Sequence, residues 1–176
     1  MKKLSTIDLG RINVEEFKAS RKSPFIVVLD NIRSLNNIGS VFRSSDAFLV
    51  ESIYLCGITA QPPHKDIHKT ALGATESVDW EYFENTSDAI QKLKKQDYKI
   101  VSVEQAEGSV FLQDFQINTD EKYALVLGHE VKGVDQKIID ISDYVLEIPQ
   151  YGTKHSFNIS VTTGIILWEL FKQYKY

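Results

Sequence analysis

Apolar residues follow two rhythms along this chain. Short runs at 25–29, 52–56, 98–103, 123–127 and 144–148 are dense in β-branched, aliphatic and aromatic residues, and they predict strands. The run at 25–29 (FIVVL) is apolar at every position, the pattern of a central strand in a parallel sheet covered on both faces. Residues 78–83 alternate and predict a further short strand. The second rhythm is helical. Ile38, Val41, Phe42 and Ser45 share one helix face, with Asn36 or Asn37 as the expected cap. Thr86-Ser87-Asp88 opens a helix through Lys95, with Ala89, Ile90 and Leu93 on its buried face. Shorter helices are expected at 13–18, capped by Asn13, at 65–72, stopped by Gly73, and at 134–141. Residues 110–114 predict a short helix or turn, and an apolar helix opened by Ser156-Phe157-Asn158 runs almost to the C-terminus. Strands alternating with helices predict an α/β fold, a mainly parallel sheet flanked by helices.

Composition changes this picture little. A chain of 176 residues, 43% hydrophobic and 25% charged, can bury a core as one domain. The expected division is a short basic N-terminal extension, 1–24, and one domain over 25–176. The extension carries six Lys/Arg against three Asp/Glu. The net charge of −4 argues against an indiscriminate nucleic-acid binder and leaves room for a local basic face. The single cysteine, Cys56, excludes an intramolecular disulfide; placed in a strand, it is expected to be a buried, inert thiol. With no signal core and no membrane-length apolar run, the expected location is cytoplasmic.

Candidate chemistry collects in three loops, each after a predicted strand. In open α/β sheets ligands bind at the carboxyl ends of strands. The first loop, 30–37, leads into Asn37, the small pair Gly39-Ser40, which permits close approach, and Arg43. Arg43 could instead form an exposed ion pair with Asp46, worth only a few tenths of a kcal/mol, on the order of 0.3. The second loop, 128–133, brackets Glu130 between Gly128 and Gly133. It is not the G-x-G-x-x-G dinucleotide fingerprint, and no such turn follows 25–29. His129 has no companion at metal-ligand spacing. The third loop follows Ile148 and Pro149, with Gly152 inside it, and ends at a helix N-terminus where backbone donors suit a polar or anionic ligand. Ser156 and Asn158 there could also be simple N-caps.

These residues resemble a known family. Asn37-Ile-Gly-Ser-Val-Phe-Arg43 is similar to the first motif of the SpoU (TrmH-type) branch of the SPOUT RNA methyltransferases. The stretch from Gly128 through Glu130 to Gly133 is similar to the second. Ile148-Pro149 through Ser156-Phe157-Asn158 to Val161 is similar to the third. Phe157 stands where the family most often has Leu. Lys69-Thr70-Ala71-Leu72-Gly73-Ala74 resembles the family's segment between the first two motifs. The chain is expected to lack the extra N-terminal RNA-binding domain of many relatives.

The resemblance implies a C-terminal trefoil knot, which periodicity could not reveal, and a homodimer whose active sites are completed by the neighbouring subunit. It implies S-adenosylmethionine as cofactor, with Val103, Leu127, Gly128, Gly133, Ile148, Gly152 and Phe157 around it. The implied reaction is methyl transfer to a ribose 2′-hydroxyl of RNA, transfer RNA being favoured slightly over ribosomal RNA. Arg43, Asn37, Glu130, Ser156 and Asn158 would be catalytic. A guanidinium is not deprotonated in proteins, so Arg43 is expected to position and stabilise charge, with Glu130 fixing either the loops or Arg43. RNA would meet Arg33, Arg43, Lys65 and Lys69, and also the basic residues of the first 24. Two alternatives stand beside this reading. One is a non-catalytic knotted dimer that binds RNA; the other is an unrelated nucleotide-binding α/β enzyme.

Overall fold

The computed structural model describes residues 1–5 and 8–176. Its described elements run α1 (Val14–Ala19), β1 (Ser23–Asp30), α2 (Leu35–Ala47), β2 (Val50–Cys56), α3 (Lys65–Ala71), α4 (Ala74–Ser77), β3 (Asp79–Phe83), α5 (Thr86–Lys95), β4 (Tyr98–Val103), β5 (Val110–Phe111), β6 (Lys122–Leu127), α6 (Gln136–Ile139), β7 (Tyr144–Glu147) and α7 (Ile159–Lys175). Among the described residues the strands form one seven-stranded sheet in the order β3-β2-β1-β6-β4-β7-β5. Every paired neighbour is parallel.

The FIVVL run of β1 is fully buried because β2 and β6 flank it and helices cover both faces. On one face Phe25, Val27 and Leu29 pack with the apolar sides of α2, α3 and α7. On the other, Ile26 and Val28 pack with Ala89, Ile90 and Leu93 of α5 and Ile138 of α6. Each fully buried side chain of this size contributes about 1.5–3 kcal/mol of transfer free energy. Helix α1 is stapled to the same core by Phe17, which is only 3% exposed. Asn13 caps it as expected, in a capping box with Glu16. Lys22 is bound to the C-terminal end of α1, where its ammonium meets the Phe17 carbonyl and lies over the Phe17 ring.

The structure redraws several local expectations. Ser34, not Asn36 or Asn37, caps α2: its hydroxyl accepts the Asn37 N–H at 3.3 Å. Both asparagines therefore lie inside the first turn, and Asn37 is free for tertiary bonds. Asn85, one residue earlier than expected, takes the N-cap position of α5, where its side chain bonds Asp88 rather than a backbone N–H. Helix α6 covers only Gln136–Ile139, because Asp135 caps it late and a turn ends it before Ile141. Residues 110–114 split into a two-residue strand and a 3-10 turn. Gly39 does permit close approach, but to α3 rather than to a ligand. A Cβ there would sit 2.1 Å from Thr70 Oγ1 and 2.2 Å from the Ile67 carbonyl oxygen. Cys56 is buried as expected, and that burial pushes its thiol up to about 12.

The sheet order has one topological consequence. β7 lies between β4 and β5, two strands already joined through residues 104–109. The chain after β6 must therefore return between two elements that precede it, an arrangement that fits the knot implied by the resemblance.

Candidate functional site

The carboxyl ends of β4, β6 and β7 open onto a cavity of about 710 Å³. A cavity of that size falls within the usual range for cofactor sites, roughly 300–1,000 Å³. Its apolar wall includes Val103, Leu127, Leu146, Ile148, Phe157 and Ile159. Its polar wall includes Glu104, Gln105, Glu130, Ser156, Asn158 and Thr162, from three loops and the first turn of α7. Six of the seven expected cofactor residues line it: Val103, Leu127, Gly128, Gly133, Ile148 and Phe157. Gly152 does not. It lies in the exposed part of the third loop, and nothing stands within 4 Å of where its Cβ would be. An apolar slot beside a polar rim of carboxylate, amide and hydroxyl groups fits a ligand that joins an aromatic base to a charged amino acid, as S-adenosylmethionine does.

The second loop is folded back on itself. His129 and Gly133 exchange backbone hydrogen bonds of 3.0 and 2.8 Å. The His129 Nδ1 accepts the N–H groups of Val131 and Lys132, a turn-closing role. Gly128 must be small because a Cβ would sit 2.1 Å from the Gly133 carbonyl carbon.

Glu130 links this loop to the first. Its carboxylate accepts the N–H of Arg33 at 3.1 Å, the N–H of Ser34 at 3.0 Å and the Asn37 side-chain amide at 3.4 Å. Partial burial works against the charged form. The bonds from the backbone N–H groups of Arg33, Glu130 itself and Ser34, together with Asn37, outweigh it and hold the carboxyl below its usual range. The Asn37 Oδ1 then accepts the Asn158 side-chain amide at 3.1 Å. Asn158 Oδ1 in turn accepts the Ser160 N–H at 2.9 Å and caps α7. Asn158 is thus both an N-cap and a bridge between loops. Within this chain the partners of Glu130 are the start of α2, not Arg43.

Arg43 stands elsewhere. It is exposed and borders a separate cavity of about 310 Å³, with Asn13, Phe17, Asp46 and Glu76 among its neighbours there. Among the described residues none lines both cavities. The Arg43–Asp46 ion pair does not form; Asp46 instead accepts the Ser77 hydroxyl at 2.5 Å. Among the described residues Arg43 is not in a salt bridge. Arg33, Lys65 and Lys69 are exposed, Arg33 just before α2 and the two lysines on α3. Glu104 and Gln105 also line the cavity, although only their neighbour Val103 is expected there from the sequence. The usable signal was their position immediately after a buried strand at the sheet's carboxyl edge.

Comparison with known proteins agrees with this geometry. The pattern described as the SpoU rRNA Methylase family matches residues 24–168. The chain is 32% identical over 164 residues to the tRNA (guanosine(18)-2′-O)-methyltransferase of Aquifex aeolicus, covering 91% of this chain and 74% of that one. It is 30% identical over 155 residues to the 23S rRNA (guanosine-2′-O-)-methyltransferase RlmB of Escherichia coli (strain K12), covering 88% and 63%. The fold superposes with a TM-score of 0.78 on the crystal structure of an AdoMet-bound rRNA methyltransferase from Sinorhizobium meliloti. That protein is 26% identical, and the match covers 87% of this chain and 58% of that one.

Proposed function

This chain belongs to the SpoU rRNA Methylase family, and we propose from that premise how its three loops divide the work. It is an S-adenosylmethionine-dependent RNA 2′-O-methyltransferase. The cofactor, when bound, supplies an electrophilic methyl group on a sulfonium sulfur. Val103, Leu127, Gly128, Gly133, Ile148 and Phe157 hold it in the larger cavity. Glu130, Asn37 and Asn158 fix the rim where the ribose enters. Ser156, exposed on that rim, orients the 2′-hydroxyl.

The ribose hydroxyl would give its proton to solvent as its oxygen takes the methyl and the sulfonium carrier leaves as a neutral thioether, so negative charge grows on that oxygen while the O–H bond breaks. Arg43 stabilises this charge and grips the neighbouring phosphate through its bidentate fork. The separation of Arg43 from the larger cavity supports a composite site: the arginine of one subunit serves the cavity of another. The surface supports the homodimer this requires. Val161 and Trp168, seven residues apart on one side of α7, are each 50% exposed although the opposite side is buried in the core. A helix apolar on both sides needs a second cover. Arg33, Lys65 and Lys69 supply phosphate contacts, and an RNA substrate fits the expected cytoplasmic location. Among the described residues no helix is long and apolar enough to cross a membrane.

The observation that carries the reading is the Glu130–Asn37–Asn158 chain of bonds, which ties all three motif-bearing segments to one cavity rim. The test is transfer of tritiated methyl from S-adenosylmethionine to separated tRNA and rRNA from cells lacking this gene. Label in the tRNA fraction, absent with Arg43→Ala, is the expected result. Label in rRNA would move the substrate, and no label despite cofactor binding would favour a non-catalytic RNA-binding dimer.

A further inference from the structure

We propose that Glu104 is a positioning residue for the cofactor cavity, acting as a clamp between β4 and the 128–134 loop. The proposal rests on the reading that this cavity takes S-adenosylmethionine. Glu104 is the first residue after β4, half-buried, and both its carboxylate oxygens are engaged by backbone donors. Oε2 accepts the Val134 N–H at 3.0 Å, and Oε1 accepts the Gln105 N–H at 2.8 Å. Its own N–H donates to the Leu146 carbonyl at 3.0 Å, which anchors the clamp to β7. Gly133, at φ +70°, lies so close that a Cβ there would be 2.0 Å from Glu104 Oε2. The next residue reaches the third loop, since Gln105 Nε2 donates to the His155 carbonyl at 3.2 Å. Two consecutive residues therefore bond to the 128–134 loop, to β7 and to the third loop.

An ordinary solvated acid at a strand end would keep its oxygens for water. This carboxylate serves the backbone of the loop that carries Gly128 and Glu130. Its side-chain bonds go to backbone N–H groups at the cavity and are not part of the sheet's own ladder, so breaking them should loosen the loop without unfolding the sheet. Removing an acceptor from a partly buried N–H weakens whatever depends on its placement, here by about tenfold in cofactor affinity.

The test uses the full chain and the variants Glu104→Ala, Glu104→Gln, Gly133→Ala and the Glu104→Ala/Gly133→Ala pair. Calorimetry measures affinity for S-adenosylmethionine, and NMR follows exchange of the Val134 amide without cofactor. Glu104→Ala should weaken binding about tenfold, speed Val134 exchange and leave KM for RNA unchanged. Glu104→Gln should fall between it and the native chain, because its amide retains one accepting oxygen. Gly133→Ala should weaken binding less in the Glu104→Ala background than in the native one, since part of its damage is contact with that carboxylate. Native affinity and native Val134 exchange in Glu104→Ala would overturn the clamp, as would strict additivity of the pair. A native chain that fails to bind the cofactor would overturn the cofactor reading instead, and the exchange measurement would still decide the clamp.

Discussion

Two turns of a single helix carry the two kinds of work in this molecule. At the first turn of α2, Asn37 is bonded to Glu130 and through Asn158 to α7, so its side chain is held within this chain. Less than two turns further on, Arg43 is exposed, and among the described residues it is in no salt bridge. The held end braces two rim residues, Glu130 and Asn158, that must be in place before a ligand arrives. The open end carries the strongest charge and is left for something outside the chain. Preorganisation is thus complete where dipoles meet the ligand and deferred where a full charge meets it. That is sensible physics, because a guanidinium already paired with a carboxylate would have less field to offer an RNA oxygen.

The contrast can be broken at several points. Arg43→Ala should lower methyl transfer about a thousandfold, the cost of losing a principal charge-stabilising donor, with melting temperature and cofactor affinity unchanged. Arg43→Lys should restore little, because one ammonium cannot reproduce a bidentate fork; full activity would exclude the geometry argued for Arg43. Gly39→Ala, placed between the two ends, forces α2 off α3 and should cost about 3 kcal/mol by overpacking. A scanning calorimeter should see it as a drop of about 6–12 °C, and an unchanged midpoint would mean that α3 yields easily.

Glu130→Ala should cost about 2 kcal/mol by orphaning N–H groups at the start of α2. Its acid signature is separable. The native carboxyl titrates below its unfolded value, so its stabilising share is complete above the ordinary glutamate range. That share is lost as pH falls through the lowered native value. Acid unfolding of Glu130→Gln should therefore be shallower over that window than in the native chain, and equal slopes would remove Glu130 from the acid response. The smallest effect concerns the basic surface. Lys65→Ala with Lys69→Ala should reduce the salt slope of RNA binding by about 1–2, with kcat intact; an unchanged slope would take α3 off the RNA path.

How far the sequence foretold this can be judged from individual residues. The strands at 25–29 and 123–127 were legible because a run apolar on both faces has few other homes. The identity of Ser34 as the α2 cap was not. Asn36 and Asn37 are equally good caps locally, and only the bonds from Glu130 and Asn158 show that Asn37 is polar for a tertiary reason. Gly39 was legible as a point of close approach, but sequence gives no sign of which neighbour a small residue admits, here α3. The place of β7 inside the sheet was equally hidden: four residues, Tyr144–Glu147, carry no mark of the strands they will separate. The site residues were legible as a set through their motifs, yet the motifs could not show that Arg43 and the larger cavity occupy different surfaces of one chain.

The insertion of β7 also orders events in time. β5 has β7 as its paired neighbour in the sheet, so residues 104–111 cannot be seated until residues 144–147 have been synthesised and have docked. A ribosome that has released β1 through β6 therefore carries a sheet with an open gate and no finished cavity. Glu104 and Gln105 gain their partners at Leu146 and His155 only when the gate closes. Chains cut before β7 would hold most of the sheet and only the 103–105 and 127–134 walls of the cavity, so the segment from β7 onward is what completes the site.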